Sequence, residues 1–175
     1  MTLMVGTPRT ALVLPSPVGP LHLAARAEGL THVTFQGVVR SEGDGSEAGA
    51  AVLARAVAEL EAYFAGELRT FTVPVVPEGT PFQQEVWRAL RDIPYGETIS
   101  YQEQARRVGR PTGMRAVGAA NGRNPVPIII PCHRVIGADG RLVGFGGGLE
   151  TKQALLTLEG WRPPAAVPGQ LSLFE

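Results

Sequence analysis

The sequence predicts an α+β chain in two parts: a small mixed α/β unit over residues 1–77 and a mostly helical unit over 81–161, followed by a loose tail at 162–175. Three observations carry this expectation. Short runs of alternating apolar and polar residues fill the first part. Helical spacing with cap signals fills the second. Between them, "PEGTP" at 77–81 places two prolines and a glycine in five residues.

Residues 10–36 alternate between Pro and Gly breaks, predicting three short strands, the last two joined as a hairpin through "AEG" at 27–29. "RSEGDGSEAG", 40–49, reads as a polar glycine-rich loop, and "AAVLARAVAELEAYFAGE", 50–67, as a helix of four or five turns. "LRTFTVPVV", 68–76, reads as a further short strand. In "PFQQEVWRALRDI", 81–93, Phe82, Val86, Leu90 and Ile93 fall in helical register, and Pro94 and Gly96 end the helix. Ser100 with Glu103 three residues later is a capping box opening a helix to Val108, which Gly109 stops. A third helix, with Thr112 as N-cap, reaches "ANG" at 120–122. Two short helices around a glycine-containing turn form a helix-turn-helix layout.

The last of these helices is nearly bare, with Gly113, Ala116, Gly118, Ala119 and Ala120 around one long charged side chain, Arg115. Major-groove reading needs several Arg, Asn or Gln side chains. Two readings stay open: tight packing on a neighbouring helix, or a thin helix in a minor groove with Arg115 as its single probe.

Net charge is zero, but its distribution is uneven. Residues 1–84 carry five Arg against eight acids, and residues 85–162 carry ten Arg and Lys152 against seven acids. The second half suits a polyanion. No run of about 20 apolar residues is present, so no membrane span is expected. The N-terminus lacks an export-signal layout, and a lone cysteine makes no intramolecular disulfide, so the chain is expected in the cytoplasm.

That cysteine lies in "NPVPIIIPCHRVIG", 124–137, with His133 next to it. A thiol with pKa ~8.5 is only a few per cent thiolate at neutral pH and needs an activating neighbour. Adjacent residues on a strand point to opposite faces, so Cys–His contact requires a turn, which Pro131 permits, or a bridging water. His133 needs an orienting acid, and Asp139, Glu150 and Glu159 are the candidates. On residue types alone Cys132 is equally a buried structural thiol.

The block from "NPVPIIIPCHRVIG" through "LEG" at 158–160, with "PYGETISYQEQARRVGRPTGMRAVGAANGRNP" and "FQQEVWRAL" upstream, resembles the O6-alkylguanine-DNA alkyltransferases. The resemblance is strong over 81–161; the N-terminal part is similar only in general layout. It implies a ribonuclease H-like first domain and a winged helix-turn-helix second domain carrying the active site. The implied reaction is a single-turnover, irreversible transfer of a methyl or larger alkyl group from guanine O6, and from thymine O4, to Cys132, after minor-groove binding and base flipping. In the implied catalytic set, His133 takes the thiol proton through water, Glu159 holds His133, Tyr101 protonates ring N3 and Asn124 braces the active-site turn. Arg115 would replace the flipped base, with Ser100, Ala116, Gly118, Ala119 and Arg123 along the DNA face. Pro127, Val135, Phe145, Gly146 and Gly147 would line the pocket. There the Cys132 and Val135 carbonyls accept the guanine amino group, and the Gly146 N–H meets O6.

Many relatives carry tyrosine where Phe145 stands, and some carry serine at Gly146, so this pocket is expected to be more apolar and open. No cofactor is implied. Some relatives hold zinc through cysteines that this chain lacks, and His22 and His32 read as strand residues, so no metal is expected. The implied partner is double-stranded DNA with alkylated guanine, met by a monomer. The tail ends in "QLSLF", 170–174, similar to the peptide with which repair proteins dock on the bacterial sliding clamp, through Gln170, Leu171, Leu173 and Phe174. The rival readings are a non-enzymatic alkylated-base-binding protein and a cysteine hydrolase.

Overall fold

The computed structural model describes residues 7–35 and 42–163. Strands β1 (Ala11–Leu14), β2 (Leu21–Arg26) and β3 (Gly29–Phe35) form an antiparallel sheet in the order β1-β2-β3. Helix α1 (Glu47–Phe64) packs on the sheet through Leu53, Ala56, Leu60 and Tyr63. The helix starts inside the stretch read from sequence as loop. Ser46 accepts the Gly49 N–H as N-cap, so the first turn forms despite its polar composition.

The strand expected at 68–76 does not form. Only an isolated bridge joins Leu30 to Val75, with Leu30 donating to the Pro74 carbonyl at 2.8 Å. Pro74 has no N–H for a ladder. The Thr72 and Val73 amides donate instead to the Glu59 carboxylate, at 2.9–3.0 Å.

Helix α2 spans Pro81–Leu90, three residues shorter than expected. Its N-cap is Thr80, and Gln83 completes a reciprocal capping box within the boundary stretch. Past Leu90 the chain tightens, with Asp92 and Ile93 donating to the Ala89 and Leu90 carbonyls three residues back. Strand β4 (Ile99–Ser100) pairs in parallel with β5 (Val135–Ile136). Helix α3 (Tyr101–Arg107) is capped by Ser100 as expected, but Glu103 turns to Arg106 and Arg107 rather than back to the cap. Gly109, at φ 71°, ends the turn beyond it.

Helix α4 (Met114–Gly122) begins after Gly113, not Thr112, and has no side-chain cap. Two buried contacts set its angle. Gln104 and Asn121 exchange amide hydrogen bonds at 2.7 and 2.8 Å, and the Trp87 indole donates to the Ala120 carbonyl at 2.8 Å. Helix α5 (Leu149–Leu158) closes the second part.

The two parts share one apolar core, in which Leu60 and Tyr63 belong to the same cluster as Trp87, Ile130 and Cys132. Backbone joins them too, with Val33 donating to the Pro125 carbonyl at 2.9 Å. Among the described residues no helix is long and apolar enough to cross a membrane.

Candidate active site

Cys132, His133 and Arg134 form a single 3-10 turn directly after Pro131. The approach to it is strained. Ile128, β-branched and buried, sits at φ 74°, which costs roughly 1–3 kcal/mol and must be held by its surroundings. Asn124 holds it. Its Nδ2 donates to the Ile130 carbonyl at 2.8 Å, and its Oδ1 accepts the Val126 N–H at 2.9 Å. Asn124 thus spans the turn just after α4, where the sequence reading placed a brace.

Of the three acids considered for His133, the structure selects Glu159. His133 Nε2 donates to Glu159 Oε2 at 2.7 Å, with both side chains fully buried. Asp139 is exposed and pairs with Arg141, and Glu150 is exposed on α5. Burial holds His133 below its ordinary pKa, outweighing the Glu159 carboxylate that would raise it. Burial would raise Glu159, but its contacts with His133 and Arg134 prevail and hold it low. The pair is therefore a neutral imidazole against an ionised carboxylate. With the proton on Nε2, His133 Nδ1 carries the lone pair, and this buried atom has no hydrogen-bond partner.

Burial also pushes the Cys132 thiol up, opposed by the Asn124 side chain and the Lys152 charge. Lys152 was not singled out in the sequence. Its Nζ, fully buried, donates to the carbonyls of Val135 at 2.6 Å and of Val143 and Gly144 at 3.3 Å. It lies 5.7 Å from the centre of the Tyr101 ring, and burial pulls its pKa down to about 8. The Val135 carbonyl, read as an acceptor for the guanine amino group, already accepts Lys152, and Val135, buried in β5, lines neither of the two clefts at Cys132.

Lys152→Met should take a donor from the Val135 and Gly144 carbonyls, leave Val143 with Tyr101 alone, and remove the cation near the thiol. We expect a stability loss of roughly 2–3 kcal/mol by urea unfolding. Alkylation of Cys132 by iodoacetamide at pH 8 should also slow several-fold. Unchanged alkylation would remove Lys152 from the thiol's environment.

Two clefts meet at Cys132. One, of about 270 Å³, is lined by Tyr101, Gly118, Asn121, Gly122, Gly144, Phe145 and Gly146. The other, of about 180 Å³, adds Asn124, Pro127 and a wall from β3 made by His32, Val33, Thr34 and Phe35. The sequence reading gave that strand no part in the pocket; only pairing of β3 beside Pro125 brings it there. Phe145 packs on Phe35 with ring centres 5.4 Å apart, and a side chain at Gly147 would collide with the Phe35 ring. The Tyr101 hydroxyl donates to the Val143 carbonyl at 2.8 Å.

Arg115, Ala116, Ala119 and Arg123 lie exposed along α4, while Val117, Ala120 and Asn121 face inward. Gly118 is half-buried, and a Cβ there would lie 3.9 Å from Tyr101, in ordinary contact; at Gly122 it would meet nothing. Packing within the molecule therefore accounts for Ala120, which is buried, and for Gly113, where a Cβ would crowd Arg110, but not for Ala116, Gly118 or Ala119. Ser100 is occupied as the N-cap of α3. No group of three or more His, Cys, Asp or Glu side chains suited to a metal occurs among the described residues. The tail residues Gln170, Leu171, Leu173 and Phe174 lie outside the described residues.

A buried thiol next to a carboxylate-held imidazole, at a cleft beside a helix pair, is an arrangement suited to a cysteine nucleophile that takes up a group. Comparison with known proteins specifies the group. Residues 81–161 match the 6-O-methylguanine DNA methyltransferase DNA-binding domain, and residues 11–77 match the ribonuclease-like domain of the same protein. The chain is 51% identical over 150 residues to a methylated-DNA–protein-cysteine methyltransferase of Methanosarcina acetivorans, covering 85% of this chain and 96% of that one. It is 48% identical over 163 residues to the Mycobacterium tuberculosis protein so named, covering 93% and 96%. The solved structure of M. tuberculosis OGT in complex with DNA superposes with a TM-score of 0.76 at 50% identity, covering 87% of this chain and 94% of that one. The chain belongs to the 6-O-methylguanine DNA methyltransferase family, a family of alkyl-transferring enzymes.

Proposed function

We propose that this chain repairs alkylated DNA by moving a methyl or larger alkyl group from guanine O6, and from thymine O4, to Cys132 Sγ, once per molecule. The observation that carries this reading is the His133 Nδ1 lone pair, buried without a partner one residue from the thiol, on an imidazole whose other nitrogen is committed to Glu159. That is the arrangement of a general base for a nucleophile. The thiol proton passes to His133, directly or through a water. Sulfur attacks the alkyl carbon, the S–C bond forms, and the C–O6 bond breaks. The electron pair leaves with the guanine, which takes a proton at N3 from Tyr101. To give that proton, the Tyr101 hydroxyl must exchange its Val143 carbonyl for the base. The product is a thioether, which thiols do not exchange as they do disulfides, so the protein is consumed.

The target atom lies inside a stacked duplex, so the nucleotide must be extruded at a cost of a few kcal/mol, less for a damaged pair. The exposed small residues of α4 support close approach to a minor groove, with Arg115 filling the vacated stack. Arg115→Ala should slow repair of duplex DNA by about tenfold or more, as expected for losing roughly 1.5 kcal/mol or more. Reaction with free O6-methylguanine should change little, and equal losses on both substrates would exclude the finger role.

The reading itself is tested by incubating the protein with duplex DNA containing O6-methylguanine and digesting it for mass spectrometry. We expect one methyl group per protein, on the peptide containing Cys132. Tight binding with an unmodified thiol would instead mark a lesion-binding protein, and repeated turnover would mark a hydrolase.

A further inference from the structure

Glu159 has a partner that the reaction just described does not use. Tyr63, at the end of α1 in the first part of the chain, donates its hydroxyl hydrogen to Glu159 Oε2 at 2.6 Å across 96 residues of sequence. That oxygen also accepts His133 Nε2 at 2.7 Å and the more distant Arg134 Nη2 at 3.2 Å. Oε1 accepts Arg134 Nε at 2.7 Å. The guanidinium therefore grips the carboxylate along one edge, and Tyr63 and His133 converge on the oxygen that meets the imidazole. The Tyr63 ring is fully buried, with Phe64 and Phe71 at 5.3 Å and Tyr95 at 6.3 Å between centres.

We propose that Tyr63 is a positioning residue of the alkyl-transfer centre, through which the N-terminal part of the chain takes part in the reaction. This inference rests on the function proposed above. A carboxylate gripped along one edge can still pivot about that edge, and the tyrosine hydroxyl fixes the pivot so that Oε2 faces His133. It also draws electron density from Oε2, which weakens the carboxylate's hold on the imidazole proton and keeps His133 a neutral base. The other titratable or charged groups facing this centre are Arg134, Lys152 and Cys132, and Tyr95 faces Tyr63.

The test uses the full chain carrying Tyr63→Phe, which preserves the ring packing. Single-turnover methyl transfer from an O6-methylguanine duplex is followed from pH 5 to 9, together with DNA affinity and thermal stability. We expect the plateau rate to fall about tenfold or more, as for losing one hydrogen bond to a charged group, with affinity unchanged. The acidic limb should move to higher pH, because His133 gains basicity. Site-specific 3-fluorotyrosine at 63 donates more strongly and should move the limb to lower pH. That variant decides the matter if Tyr63→Phe does not fold. Alkylation of Cys132 by iodoacetamide needs no DNA and reads the same limb, so it tests Tyr63 even if the wild type transfers no methyl group, a result that would overturn only the proposed function. Rates and limbs matching wild type in both variants, with only thermal stability lowered, would reduce Tyr63 to a packing residue.

Discussion

Cys132→Ser is expected to bring methyl transfer from duplex DNA below detection while leaving affinity for that DNA nearly unchanged. Serine keeps the shape of the side chain and the 3-10 turn, whose first amide donates to the Ile130 carbonyl at 2.8 Å. What changes is the nucleophile. Burial already pushes the thiol above its ordinary pKa, and only the Asn124 side chain, the Lys152 charge and local amides oppose this. A hydroxyl binds its proton far more tightly than a thiol, and a more localised alkoxide pays a larger desolvation penalty in the same site. A neutral imidazole such as His133 does not bridge that difference. Transfer of a labelled methyl group, read on a denaturing gel beside a binding titration, measures both quantities. Labelling of the serine variant at the wild-type rate would show that another side chain takes the alkyl group.

Glu159→Gln is expected to slow transfer by about 10²-fold, the range of general acid–base contributions, and to destabilise the fold by roughly 3–5 kcal/mol, as for breaking a buried ion pair from one side. Glu159 receives hydrogen bonds from His133, Arg134 and Tyr63, and a glutamine has one acceptor oxygen where the site supplies donors to two. Its NH2 group would face a donor, and the buried Arg134 guanidinium, held also by the Ile93 carbonyl at 2.7 Å, would lose its countercharge. The pH dependence follows the same residue. Glu159 is depressed below its ordinary value of 4.5 in the folded state. Its contribution to stability is therefore complete above about pH 4.5 and is lost as the pH falls through the depressed value. Urea unfolding across that range should show this loss in the wild type and a flatter profile in Glu159→Gln. Identical profiles would mean that the carboxylate is not ionised in the fold.

The residues with strong local chemistry were legible before any coordinates. Ser100 caps α3, Gly109 stops it, and the apolar spacing of Val86 and Leu90 buries one side of α2, because each rule acts within a turn or two of chain. Where reading failed, a partner distant in sequence had overridden the local preference. The Glu59 carboxylate takes the amides that a strand at 68–76 would have paired; the Ser46 cap, which opens α1 inside the stretch read as loop, is the exception, since it acts within three residues.

The site divides along the same line. Cys132 beside His133 is covalent adjacency, and the bareness of α4 is composition; both are visible in a string of letters. Nothing local chooses Glu159 over Asp139 or Glu150, aims Lys152 at three carbonyls, or brings Phe35 and Tyr63 from the first part of the chain to the reacting centre. Those choices belong to the shared core. Enclosing Trp87, Ile130 and Tyr63 in one apolar cluster removes water from the polar groups caught beside it, and these then pair wherever the packing has carried a partner, with His133 Nδ1 left over at the site.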